Sequence, residues 1–189
     1  GSVGQLPMKE GTPLYNIYNT DAAWGAQWNL SQLWILAYPE YMSEYISSHL
    51  QTYKDAGWLA DGLANNRYVS GVGTNLLSTI IAGAYECGIR DFDTKTAYEA
   101  CLKNELEGKN RPFGAGKVNT TEFVKYGYVP HQDEGEGYHE TFMFSASHTL
   151  EYSYSTWAVA QWAKQLGDKS HYSQLMDLSK GWERLYDSS

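Results

Sequence analysis

The sequence predicts an all-α fold built from helical hairpins. Apolar residues recur at the three- and four-residue spacing of amphipathic helices, the helical segments pair through short links opened by glycine, and strand-like alternation is sparse. In the first pair, Ala26, Leu30, Leu33, Trp34 and Ala37 form one stripe, and Pro39 closes that helix and opens the next. The next carries Met42, Tyr45, Ile46, Leu50 and Tyr53 and stops near Gly57.

The second pair runs from Asn75 to Tyr85, stops at Gly88, and resumes from a cap at Asp93 through Tyr98, Cys101, Leu102 and Leu106. The third runs from Ser147 to Leu166, stops at Gly167, and continues from Ser170 through Tyr172, Leu175, Met176 and Trp182. Thus "AYECGIRDFDTKTAYEA" and "WAKQLGDKSHYSQLMDL" share one layout of helix, glycine stop, polar link and amphipathic helix. Hairpins that repeat in this way bury their faces against neighbours, as in an α-solenoid or an α/α toroid. Between Lys109 and Ser145 the periodicity lapses, and the aromatic residues of "YGYVPHQDEGEGYHETF" predict an ordered loop over the mouth of the array.

With 189 residues, 42% of them hydrophobic, the chain is long enough to bury one core. The 16 Tyr and 7 Trp outnumber the 5 Phe, so most rings carry a polar handle suited to a wet, concave surface. A net charge of -8 with the 14 basic residues scattered argues against nucleic acid. No apolar run approaches the roughly 20 residues that span a bilayer. Cys87 and Cys101 fit neither zinc spacing nor a disulfide framework and read as two buried thiols. The opening Gly1-Ser2 reads as a tag remnant, so residues 1–17 are expected to be a leader and 18–189 a single domain.

If the chain is already helical from Trp24, then Trp24, Gln27, Trp28 and Ser31 share a face opposite the apolar stripe. Sugar rings offer apolar C–H faces and hydroxyl edges, so tryptophans with amide partners suit them. Packing against a neighbouring helix is the competing use. Glycoside hydrolysis needs two carboxyls, and Glu140 in the loop and Glu151 on the third pair are the best-placed candidates. Against that, Glu151 shares a face with Ser155 and Trp162 and could be a buried structural acid, and Glu140 a solvated loop charge. His131, Asp133, Glu134, Glu136, His139 and Glu140 match neither a zincin nor a calcium-loop spacing, so no metal ligand is expected.

Several segments together resemble bacterial glycoside hydrolase family 92, the calcium-dependent exo-acting α-mannosidases. "TLEYSYSTWAVAQWAKQLG" is similar to the family's "TLEYAYDDW.IAQ.A..LG", and "GVGTNLLSTIIAGAYECGIRDFD" to its "M.G.HA..VIADAY.KGI..FD". "YGYVP" matches, and "PEYMSEYISSHLQTYKDAGWLAD" resembles the "PE.M...I.SLL..Y...GWLP" that follows the family's "WDT.R". The resemblance implies part of an (α/α)6 toroid, since a closed six-hairpin ring needs on the order of 300 residues.

It also implies an inverting reaction in the intact enzyme, with a periplasmic or extracellular location. The family's "EGN" and "NDD.GQMSAW" segments, which hold its acid, base and calcium ligands, are absent here. No catalytic residue is therefore carried over. Calcium is expected for the intact enzyme and not on this segment, which alone should be inactive.

Trp24 matches the tryptophan beside the sugar, so Trp24, Gln27 and Trp28 are the expected substrate-binding residues and a mannose-type glycan the expected partner. The family's following aspartate is Gly25 here, the acids of "YDDW" are Ser155 and Thr156, and the histidine of "G.HA" is Asn75, all read as changes at pocket positions. Alternatives are a non-catalytic carbohydrate-binding module or an α/α scaffold that self-associates through an open toroid edge.

Overall fold

The computed structural model describes residues 7–18, 23–69, 72–131 and 144–187. The three expected hairpins are present. The first joins α2 (Leu30–Ala37) to α3 (Pro39–Ala56), the second α4 (Leu77–Glu86) to α5 (Thr94–Leu106), and the third α7 (Ser145–Leu166) to α8 (Lys169–Leu178). A single turn, α1 (Ala23–Ala26), precedes α2, and α6 (Thr120–Tyr126) occupies part of the region where the periodicity lapses. Helices dominate the fold, in keeping with a segment of an α/α toroid.

The termini follow the chemistry of their sequences. The Asp93 carboxylate accepts from Thr96 N at 3.1 Å, and that of Asp168 from His171 N at 3.2 Å, each satisfying an amide that the helix leaves unpaired. Gly57 and Gly167 end α3 and α7 at φ 82° and 73°, left-handed values that glycine adopts without a Cβ clash. Short antiparallel pairs β1 (Met8–Lys9) with β2 (Thr12–Pro13), and β3 (Gly62–Ala64) with β4 (Arg67–Val69), decorate the helices. Tyr18 donates to Glu44 at 2.7 Å, which ties the segment before α1 onto α3.

α4 lies between α5 and α7, and one core runs through all three hairpins. Met42, Ile46 and Leu50 come from α3, Leu77, Ile80 and Ile81 from α4, and Val159 and Trp162 from α7. Each such apolar side chain contributes roughly 1.5–3 kcal/mol by leaving water. Trp162 is central, stacked on Tyr85 at 4.5 Å and tilted against Tyr98 at 5.3 Å. Among the described residues no helix is long and apolar enough to cross a membrane.

Two expectations are corrected. The stripe of α2 does not face the core as a whole, because Leu30 and Leu33 are exposed, at 40% and 51%, while Ser31 is buried. Only Trp34 from that stripe reaches the core in force, against Tyr41 and Tyr45. Cys101 is buried but Cys87, at the end of α4, is exposed; both are free thiols.

Candidate functional site

The loops that lead into α4 and α6 are fixed by a buried polar network. Asp61 accepts from the amides of Gly73 at 3.0 Å and Asn75 at 3.1 Å, and the Asn75 side-chain amide donates to the carbonyls of Leu59 and Gly116, both at 3.1 Å. Gly116 sits at φ +57°, and a Cβ there would lie 3.0 Å from the Trp58 ring, so only glycine lets this loop pass.

The next residue, Lys117, turns inward. Its ammonium donates to Glu105 at 2.5 Å and to the Ser155 hydroxyl, with both charged side chains at most 1% exposed. Ser155 also donates to Glu105 at 2.8 Å, and Ser78 donates to the other carboxylate oxygen. Burial pushes the Lys117 amine down and the adjoining Glu105 carboxylate pulls it back up. Removing water from two charges is offset here by their mutual attraction and by the hydrogen bonds that both Glu105 oxygens accept.

Above this network lies the aromatic end of α1. The Trp24 indole stands close enough to the Glu151 carboxyl of α7 to influence its titration. Burial raises the pKa of Glu151 above the ordinary carboxyl value, while the Trp24 indole and the Lys117 charge act in the opposite direction. Glu151 Oε2 is shut from solvent without a hydrogen-bond partner. Trp28 packs edge-on against Trp24 with centroids 4.2 Å apart and is itself 58% exposed.

A cleft of about 360 Å³ opens between α2, α4 and α7. Gln27 and Ser31 line one wall, Tyr154 and Trp157 the other, and Thr79 and Gly83 of α4 the floor. The volume of the cleft is within the range of small-ligand sites.

The expected face is therefore brought together, but by a different backbone. α1 ends at Ala26 and Gln27–Asn29 form a turn, so Trp24 reaches Glu151, Gln27 and Ser31 line the cleft, and Trp28 stands at the surface. Glu140 lies outside the described residues. Asn75, Ser155 and Thr156 are fully buried and bonded to backbone or to Glu105, so they are frame positions and not pocket positions. Gly25 alone of those departures is exposed.

Sequence reasoning missed Lys117, Glu105 and Thr79. A lysine within "GAGKV" carries no periodic signal, although the absence of both acids from "YSTW" hinted that the charge balance there had changed. Among the described residues no three His, Cys, Asp or Glu side chains converge to hold a metal ion.

The model of the glycosyl hydrolase family 92 catalytic domain matches residues 5–189. The chain is 33% identical over 159 residues, 82% of its length, to an uncharacterized secreted glycosidase of Arthroderma benhamiae, of which it spans 20%. It is similar in fold to a family 92 inverting mannosidase of Bacteroides thetaiotaomicron, with a TM-score of 0.79, 22% identity, and coverage of 92% of this chain and 22% of that one. A family 92 α-mannosidase of the same organism gives 0.72 at 22% identity, with 92% and 22% covered. Its complex with mannoimidazole gives the same score and identity. The chain thus spans about a fifth of the length of the relatives it matches.

Proposed function

The chain belongs to glycosyl hydrolase family 92, and from that premise we propose that it forms part of the catalytic domain of an exported, exo-acting α-mannosidase, with Trp24, Gln27 and Trp28 at the sugar. The observation that supports this reading is a cleft lined by Gln27 on one side and the Tyr154 and Trp157 rings on the other, with the Trp24 indole close to the Glu151 carboxyl nearby. Rings supply contact to sugar C–H faces, and Gln27 supplies both a donor and an acceptor for hydroxyls. Export is supported by the secreted relative of Arthroderma benhamiae.

Inverting hydrolysis needs an acid and a base carboxyl about 6.5–9.5 Å apart with room for water between them. Glu105 is sealed by Lys117, Ser155 and Ser78 and reaches no ligand. Glu86 accepts from Gln165 at 2.5 Å, and the 14 residues of α7 between Glu151 and Gln165 set it about 20 Å below Glu151. Glu151 therefore has no working partner among the described residues and serves as an anchor for the substrate. The acid, the base and any calcium belong to the intact enzyme, so the 189-residue chain binds sugar without cleaving it.

A hydrolysis assay with 4-nitrophenyl α-mannoside tests this. Release of nitrophenol at the level of the blank, with and without added calcium, is expected. Turnover that a chelator abolishes would overturn the assignment of the chemistry to residues outside this chain. The exposed Leu33, Leu36 and Trp157 favour self-association of the chain along this open face, which sedimentation at rising concentration would detect.

A further inference from the structure

Residues 14 and 15, the first turns of α3 and the α4–α5 link enclose a cleft of about 490 Å³ that shares no residue with the Gln27 cleft. Three carboxylates line it, Glu40 and Glu44 of α3 and Asp91 of the link, and no basic side chain does. Lys54, the cation whose charge reaches Tyr15, is engaged by Asp93 at 3.0 Å. Glu40 and Glu44 stand on one face of α3, about 6 Å apart along its axis, so their charges repel unless a cation joins them. Hydrogen bonds from Tyr18 and Asn16 hold the Glu44 carboxyl below its ordinary pKa and keep it ionised.

Ser43 shares that face and also lines the cleft. It is 6% exposed, and its buried hydroxyl has no hydrogen-bond partner. Ser47 makes the ordinary bond of a helix hydroxyl, back to the Ser43 carbonyl at 2.8 Å. An unpaired buried hydroxyl lowers stability, and a ligand N–H would supply the missing donor. Two rings wall the cleft. Tyr15 is held by donating to Gln51 at 3.1 Å, and Tyr41 packs edge-on against Tyr18 with centroids 5.2 Å apart. Among the described residues no three His, Cys, Asp or Glu side chains converge to hold a metal ion, so these carboxylates suit an elongated cation and not a point charge.

We propose that this cleft binds an aliphatic diamine, with one ammonium group donating to Glu40 and the Ser43 hydroxyl beside the Glu44 charge, the other meeting Asp91, and the methylene chain lying on Tyr15 and Tyr41. An ammonium group carries three donors, enough for a carboxylate and a hydroxyl together. Tyrosine rings accept both the chain and the charge.

The test is titration of the 189-residue chain with 1,5-diaminopentane, followed by NMR, for the wild type, Ser43→Ala and the double variant Glu40→Gln, Asp91→Asn. The wild type is expected to saturate in the millimolar range, and pentylamine, which has one ammonium group, to bind about 5-fold more weakly. Ser43→Ala should weaken diamine binding about 3-fold or more without lowering the melting temperature. The double variant changes two exposed carboxylates and should weaken it about 5-fold or more. No saturable binding of the diamine would overturn the inference, as would equal affinity for pentylamine, since only charge screening would then be at work. Affinity retained by either variant, or a Ser43→Ala chain that fails to fold, would overturn it too. Competition from methyl α-mannoside would merge this cleft with the sugar site and contradict their separation.

Discussion

Replacing Lys117 with Met isolates the cost of the buried charge that supports the site. The ammonium is 1% exposed and bonds Glu105 at 2.5 Å and Ser155. Met fills similar space but leaves Glu105 with two hydroxyl donors and no countercharge. Breaking such a pair from one side costs about 3–5 kcal/mol, comparable with a large part of a domain's total stability of roughly 5–15 kcal/mol. Lys117→Met combined with Glu105→Gln removes both charges, and of the Ser78 and Ser155 hydroxyls one still donates to the amide oxygen while the other accepts from the amide NH2. The double variant should recover most of the loss, giving a coupling of about 2 kcal/mol or more. Urea unfolding followed by tryptophan fluorescence measures all three variants. Single and double variants that each lie within about 0.5 kcal/mol of wild type would refute the claim that this pair is dry and coupled.

Other consequences follow from the same burial and geometry. His49 is buried beside Tyr45 with neither ring nitrogen partnered, and burial lowers its pKa to about 4 from 6.5. Below pH 6.5 the unfolded chain takes up a proton that the folded chain refuses until about pH 4, so stability is lost across that window, by at most about 3 kcal/mol. His49→Leu should flatten that part of the pH–stability curve in urea melts; an unchanged slope would mean that His49 is not the group responsible. Gly25 has open space where a Cβ would stand, so Gly25→Asp restores the carboxylate of the "WDT" pattern without displacing a neighbour. Titration with methyl α-mannoside should show about 10-fold tighter binding, the value of one charged hydrogen bond, and unchanged affinity would remove Gly25 from the sugar's surroundings.

The hairpins were legible because their signals are local. The Asp93 cap, the Gly57 and Gly167 stops and the Met42, Ile46, Leu50 stripe each depend on residues within a turn or two. The orientation of α2 was not legible. An apolar stripe shows that a helix has a face, and which face meets the core depends on neighbours elsewhere in the chain, so Ser31 is buried while Leu33 is exposed.

The site divides in the same way. Gln27 was readable from residue type and spacing, and it lines the cleft, although a turn at Gln27–Asn29 and not a continuous helix places it. Its support was hidden because Lys117, Glu105, Ser155 and Ser78 lie on four separate stretches and meet only after folding. For the same reason Asn75 and Ser155 read as pocket residues in the sequence, and the fold uses them as struts.

The central claim is that a sugar lies against Trp24, close to the Glu151 carboxyl. The most direct measurement follows the indole N–H resonances of the seven tryptophans during titration with methyl α-mannoside. The account predicts a saturable shift of the Trp24 resonance, assigned by its loss in Trp24→Phe, with buried Trp162 unmoved. A Trp24 resonance that stays fixed while the sugar reaches hundreds of millimolar would contradict it.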